Sequence, residues 1–177
     1  MRHLWIILAL WAAPASAWVL EGKDLNGAAL SLPTALSGRA GVLIVGLSQA
    51  SSKATQAWEQ RLWADLGSNT QVAVFGVAQL EGAPGFVVPM IIRGIKKSKD
   101  KAHWAQMLVL RSGRAALEAL VSYDRSAPDD AYIVVLAPDA SIRLIVHAPD
   151  LGPLDKVMKA LASTSASLAP NDGAALE

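Results

Sequence analysis

Residues 42–62, VLIVGLSQASSKATQAWEQRL, constrain this chain more than any other stretch. An apolar run gives way to a turn of small residues, and from Thr55 the apolar spacing becomes that of a helix. Residues 42–47 have the length and branching of a strand buried on both faces, as strands of parallel sheets are. Trp58, Leu62 and Leu66 then recur at intervals of four with Trp63 beside them, and Gly67 is the natural stop. A buried strand running into an amphipathic helix is the first half of a βαβ unit, so a second strand parallel to the first should follow.

Residues 71–77 supply that strand. Before the unit, Asn26-Gly27 sits between Val19-Leu20 and the alternating Leu30-Ser31-Leu32, which predicts a small opening hairpin. After it, Pro89 opens a second helix at its first turn, where a missing N–H costs nothing. This helix is expected through MIIRGIKKSKDKAHW (90–104), with Gly94 weakening it by about 1 kcal/mol relative to alanine. A strand at 107–110 turns at Ser112-Gly113, and 114–121 read as a short helix. AYIVVLAPDASIRLIVH is two apolar runs joined by Pro138-Asp139-Ala140, a hairpin with turn chemistry in its middle. Residues 151–162 close the domain as a helix with Leu154, Val157, Met158 and Leu161 on one stripe, and the small, polar residues 163–177 are expected to be disordered. The fold class is therefore α/β, a central mixed β-sheet flanked by helices on both faces, in one domain spanning 18–162.

The first 17 residues stand apart. Arg2 precedes an apolar stretch from Leu4 to Ala13, and Ala15-Ser16-Ala17 offers the small residues a signal peptidase accommodates. A signal peptide cleaved after Ala17 is expected, and with it export, in a bacterium to the periplasm. The stretch is shorter than the roughly 18 to 20 apolar residues a bilayer-spanning helix needs. Removing Arg2 with it leaves 15 basic against 15 acidic side chains, a balance that argues against a nucleic-acid binder. With no cysteine in the chain, disulfide stapling and thiolate chemistry are both excluded.

The element order, opened by a D-x-x-G segment followed by L-x-L, resembles the redoxin branch of the thioredoxin-like superfamily. Asp24, Gly27, Leu30 and Leu32 match the opening, residues 42–47 the strand before the active-site turn, and AYIVVLAPDASIR the later strand with its D-x-x-G-x-I-R turn. The chain resembles in particular two kinds of cysteine-poor member. One is the mitochondrial factor that assists assembly of the membrane sector of ATP synthase; the other is a group of small periplasmic proteins of similar layout. Ala131-Tyr132 stands where the assembly-factor family has Gly-Tyr, and PMIIRGIKK, with Arg93 and Gly94, is similar to its arginine-rich R-G helix.

In redox-active relatives a thiol sits at the helix N-terminus, where free N–H groups and the helix dipole lower its pKa. The matching turn here is Ser51-Ser52-Lys53-Ala54. A serine hydroxyl is not ionised by that field and has no redox couple. The cis-proline position of the family falls near Ala131, and Ala140 replaces the usual turn glycine. The resemblance thus implies the scaffold without thiol–disulfide exchange or thiol peroxidase activity.

Two groups of residues remain as candidates. Ser51, Ser52 and Lys53, with Ala131 and Tyr132 beside them, mark the former active-site turn, where free N–H groups at a helix start suit an anion or a peptide. The simpler alternative is that Ser51, Ser52 or Thr55 caps the helix, worth about 1 kcal/mol. Arg93, Lys96, Lys97, Lys99 and Lys101 form the one concentrated charge, on a helix striped by Val88, Ile91, Ile92 and Ile95. They are explained either by the favourable field at a helix C-terminus or by docking on anionic phospholipid or an acidic partner, with Trp104 nearby. A serine hydrolase built on His103 or His147 has no G-x-S-x-G elbow to support it, and isolated histidines lack metal-ligand spacing. No cofactor motif is present. The leading expectation is an exported, non-enzymatic factor that binds a protein or peptide partner or a membrane surface; a non-thiol enzyme and a small-molecule binder are the alternatives.

Overall fold

The structure is a computed structural model that describes residues 18–166. The expected signal peptide, and residues 167–177 of the expected tail, lie outside the described residues.

Seven strands form one sheet: β1 (Leu20–Lys23), β2 (Ala29–Leu32), β3 (Ala40–Gly46), β4 (Val72–Gln79), β5 (Met107–Leu110), β6 (Ala131–Leu136) and β7 (Ile142–Ala148), in the order β2-β1-β5-β4-β3-β6-β7. The parallel trio β3, β4 and β5 occupies the middle, with Val42 opposite Val74 and Gly76 opposite Met107. β6 and β7 extend it antiparallel on one side, and the opening hairpin does so on the other. The near-continuous apolar sequences of β3, β4 and β6 follow from this position, because central strands have no wet face.

Alternate side chains of β3 divide the core in two. Leu43 and Val45 meet Phe75, Val77, Tyr132 and the short helix α3 (Arg114–Leu120). Val42 and Ile44 meet Trp58 and Leu62 of α1 (Ser52–Leu66) and Val157 and Leu161 of α4 (Leu154–Ala166). Helices therefore cover both faces, as the element order predicts; numbering in chain order makes the helix between β4 and β5 α2 (Val88–Ser98).

Two expectations change. The second helix ends at Ser98 instead of running to Trp104. Ser98 Oγ donates to the Ile95 carbonyl at 2.9 Å, Lys99 is extended (φ −121°, ψ 144°), and Asp100 Oδ1 accepts from Ala102 N at 3.0 Å to start a separate 3-10 helix, Lys101–Gln106. Such side-chain bonds to the backbone compete with continued helix. At the other end of the chain, α4 runs to Ala166, so residues 163–166 are helical where a tail is expected. Gly67 does stop α1, with its N–H on the Trp63 carbonyl at 2.8 Å, but in right-handed conformation (φ −60°). In the β6–β7 turn Ala140 takes the left-handed conformation (φ 64°) that a glycine would adopt without strain.

Candidate functional site

The turn between β3 and α1 is held by its own hydroxyls. Ser48 Oγ accepts from Ser51 N at 3.0 Å and donates to Asp129 Oδ1 at 2.7 Å. Ser51, fully buried at the N-cap of α1, donates its hydroxyl back to the Ser48 carbonyl at 2.8 Å, and Ser52 N bonds the Gln49 carbonyl at 3.2 Å. The expected caps do not form: Ser51 caps nothing with its side chain, and Thr55 Oγ1 donates to the Ser52 carbonyl. Ser48, three residues upstream, instead bonds the N–H of the N-cap residue itself. β3 ends in glycine because the helix begins so close to it; a Cβ on Gly46 would stand 2.9 Å from Ser51 Oγ. Ser52 and Lys53 are exposed. With two first-turn N–H groups already bonded, the helix start offers an anion less than an open N-terminus does.

Sheet register places Ala131 opposite Gly46, buried in the α1-side core near Ala54, so Ala131 and the turn do come together. Tyr132 belongs elsewhere. It points to the other face, is fully buried, and its hydroxyl accepts from Asp124 N at 3.1 Å while lying 3.0 Å from the Asp124 and Ala127 carbonyls. That clamp fastens the 123–130 loop and removes Tyr132 from any exposed binding site. Burial pushes its phenol above the ordinary range.

The same loop carries the polar groups nearest the turn. Hydrogen bonds from the Ser126 hydroxyl and N–H hold Asp124 below the usual carboxylate range. Asp130 Oδ2 lies 2.9 Å from His147 Nδ1, an orienting carboxylate on an imidazole. A hydrolase further requires a serine hydroxyl on that imidazole. Among the described residues no serine is hydrogen-bonded to His147 or His103; Ser48 is bonded to Asp129 and Ser51 to a carbonyl.

The basic segment divides in the same way. Arg93, Lys96 and Lys97 lie on α2 and Lys101 opens the 3-10 helix, with Lys96 Nζ 4.7 Å from the Trp104 ring centre. Lys99 leaves the patch. At the break between the helices its side chain turns inward, to 8% exposure, and pairs with Glu59 of α1, which is 3% exposed. Burial pushes the Lys99 ammonium down to about 8, so it is still charged at neutral pH. The pair floors a cleft of about 310 Å³ between α1 and residues 98–103, where His103 stacks on Trp63 at 4.2 Å with its Nδ1 3.1 Å from Gln106 Oε1.

Glu59, Ser48, Asp129 and the exposed Phe86 and Met90 escape the sequence reading. For Glu59 the signal exists: it lies four residues after Thr55 and three before Leu62, on the buried stripe. It fits against the sheet because β4 carries Gly76 there, where a Cβ would be 2.6 Å from Glu59 Oε1.

No protein-family profile and no curated protein sequence matches the chain. Solved structures do. BsSco, a member of the Sco family of cytochrome c oxidase assembly proteins, superposes with TM-score 0.55 at 12% identity over 84% of this chain and 92% of its own. A pneumococcal exposed lipoprotein thioredoxin from Streptococcus pneumoniae gives 0.56 at 14% identity, covering 82% and 99%. A thiol-disulfide oxidoreductase from Bacteroides fragilis gives 0.54 at 18%, covering 81% and 99%. At these identities the likeness is one of fold, and the fold is thioredoxin-like.

Proposed function

We propose that this thioredoxin-like chain is an exported, redox-inactive factor of assembly or chaperone type, which holds a protein or peptide partner instead of reacting with it. The observation that carries the reading is the fate of the turn: the hydroxyls of Ser48 and Ser51 are spent on Ser51 N, Asp129 and a carbonyl, and no thiol stands there. What the turn still presents to solvent is a small polar rim, Gln49, Ala50, Ser52 and Lys53, beside Asp129. The fold is compatible with such work, since BsSco belongs to a family of assembly proteins. Export is supported by the signal-like residues 1–17 and by a neighbour described as an exposed lipoprotein.

The test is recovery of partners from envelope extract with immobilised protein, comparing wild type with a Ser52→Asp, Lys53→Glu variant. Loss of a specific partner in the variant is the expected result, and equal recovery takes the turn out of the binding surface. Hydrolytic activity abolished by Ser51→Ala would replace the reading with an enzyme. Export is tested by the mass of the chain from the periplasmic fraction, which should begin at Trp18.

A further inference from the structure

We propose that the outer ridge of α2, formed by Phe86, Met90, Arg93 and Lys97, docks this protein on the surface of an anionic phospholipid bilayer. Phe86 is 85% exposed and Met90 67%, whereas nearly every other large apolar side chain of the described residues is at least half covered. The four residues are spaced four, three and four apart, the repeat of one helix face. Val87, between Phe86 and α2, is itself right-handed (φ −86°, ψ −29°), and its carbonyl accepts from Met90 N and Ile91 N, so the helical path includes the approach.

The helix cannot roll to hide this ridge. Its opposite side is committed to the core, with Val88 buried and Ile92 and Ile95 packed against the α1-side cluster. The cations are equally uncommitted: among the described residues Arg93, Lys97 and Lys101 form no ion pair. Of the acids close in sequence, Glu81 accepts from Arg114 N at 2.7 Å and Asp100 from Ala102 N, and among the described residues neither forms an ion pair with these cations.

The order of side chains along the ridge selects the occupant. Apolar groups stand at one end and cations at the other, graded over about 16 Å at 1.5 Å per residue. A protein hot spot places its apolar anchor centrally and rings it with polar groups. A convex row with an apolar tip and trailing cations instead matches a bilayer, where apolar side chains enter the headgroup boundary while Arg and Lys meet the phosphates. Lys96 and Lys101 add to the local field. No described helix is long and apolar enough to cross a membrane.

The absence of cysteine makes the test site-specific, since one introduced thiol is a unique label. Met90→Cys in the chain beginning at Trp18, carrying an environment-sensitive fluorophore, should show blue-shifted, brighter emission with phosphatidylcholine vesicles containing about a third phosphatidylglycerol, little change with phosphatidylcholine alone, and reversal in high salt. A Ser68→Cys label, at the end of α1, should report nothing. Arg93→Gln and Lys97→Gln in the labelled chain should each weaken binding about fivefold. Phe86→Ser should lower the affinity without altering its salt dependence. Equal response to neutral and anionic vesicles, or labelled position 90 remaining in water while the chain binds, overturns the proposal. So does salt-sensitive binding to polyglutamate without binding to vesicles, which would make the ridge an acidic-protein site. Melting temperatures equal to wild type establish that the variants are folded.

Discussion

The strand-to-helix turn and the α2 segment were both expected to expose functional polar groups, and each has turned one of them inward. At the turn the buried group is a hydroxyl, and its partner, the Ser48 carbonyl, is three residues away. In the α2 segment it is an ammonium whose partner, Glu59, lies forty residues earlier on another helix. Local hydroxyl bonds shape a corner at modest cost. A buried charge pair must recover the loss of two hydration shells, and either member left alone in the core is far more costly than a missing hydroxyl. The difference is between a turn that tolerates substitution and a junction that does not.

The largest effect should therefore come from splitting the pair. Lys99→Ala or Glu59→Ala is expected to lower unfolding free energy by about 3–5 kcal/mol in urea titration, because each strands the other charge. Replacing both, Glu59→Leu with Lys99→Met, should recover most of that loss or exceed wild type. Single variants within about 1 kcal/mol of wild type would erase the contrast with the turn.

This contrast also decides what could be read from the chain. The parallel unit around residues 42–62, the two hairpins and the stripe of α4 were legible, because periodicity and turn residues act within a dozen positions. β5 and α3 likewise fall within a residue of expectation. The break at Lys99 is marked by no proline or glycine in KKSKDK; the Ser98 and Asp100 bonds that accompany it are local, whereas the pairing of Lys99 with Glu59 lies outside any local window. Tyr132 misled for a related reason. Alternation shows that it faces away from Ala131, but the loop its hydroxyl clamps is fixed only when β6 is in place. Asp129 likewise reaches Ser48 across 81 residues. Phe86 follows Pro84-Gly85 and precedes Pro89 by three residues, where no period marks a face.

A smaller effect sharpens the α2 side. Gly76→Ala places a methyl where Glu59 Oε1 and Met107 Sδ sit, and a carboxylate pinned by Lys99 has little freedom to yield. A loss of about 1–3 kcal/mol is expected, as for other overpacked cores. In the Glu59→Leu, Lys99→Met background the same substitution should cost a different amount, since side chains in contact do not add. Additivity would mean that Gly76 answers to Met107 alone.

The smallest effects belong to the turn. Ser48→Ala removes the acceptor for Ser51 N and the donor to Asp129, and should cost about 1 kcal/mol in urea titration, the usual worth of a helix-start hydroxyl. Asp129→Ala should cost no more, because Asp129 is exposed and water can replace it, and the double variant should fall short of the sum by the energy of their shared bond. Ser52→Ala, whose side chain is exposed, should stay within about 0.5 kcal/mol of wild type. The ranking matters more than the sizes. If Ser52 costs as much as Ser48, the turn is organised from the residue that faces solvent, and its exposed rim is a structural element with no surface left over for a partner.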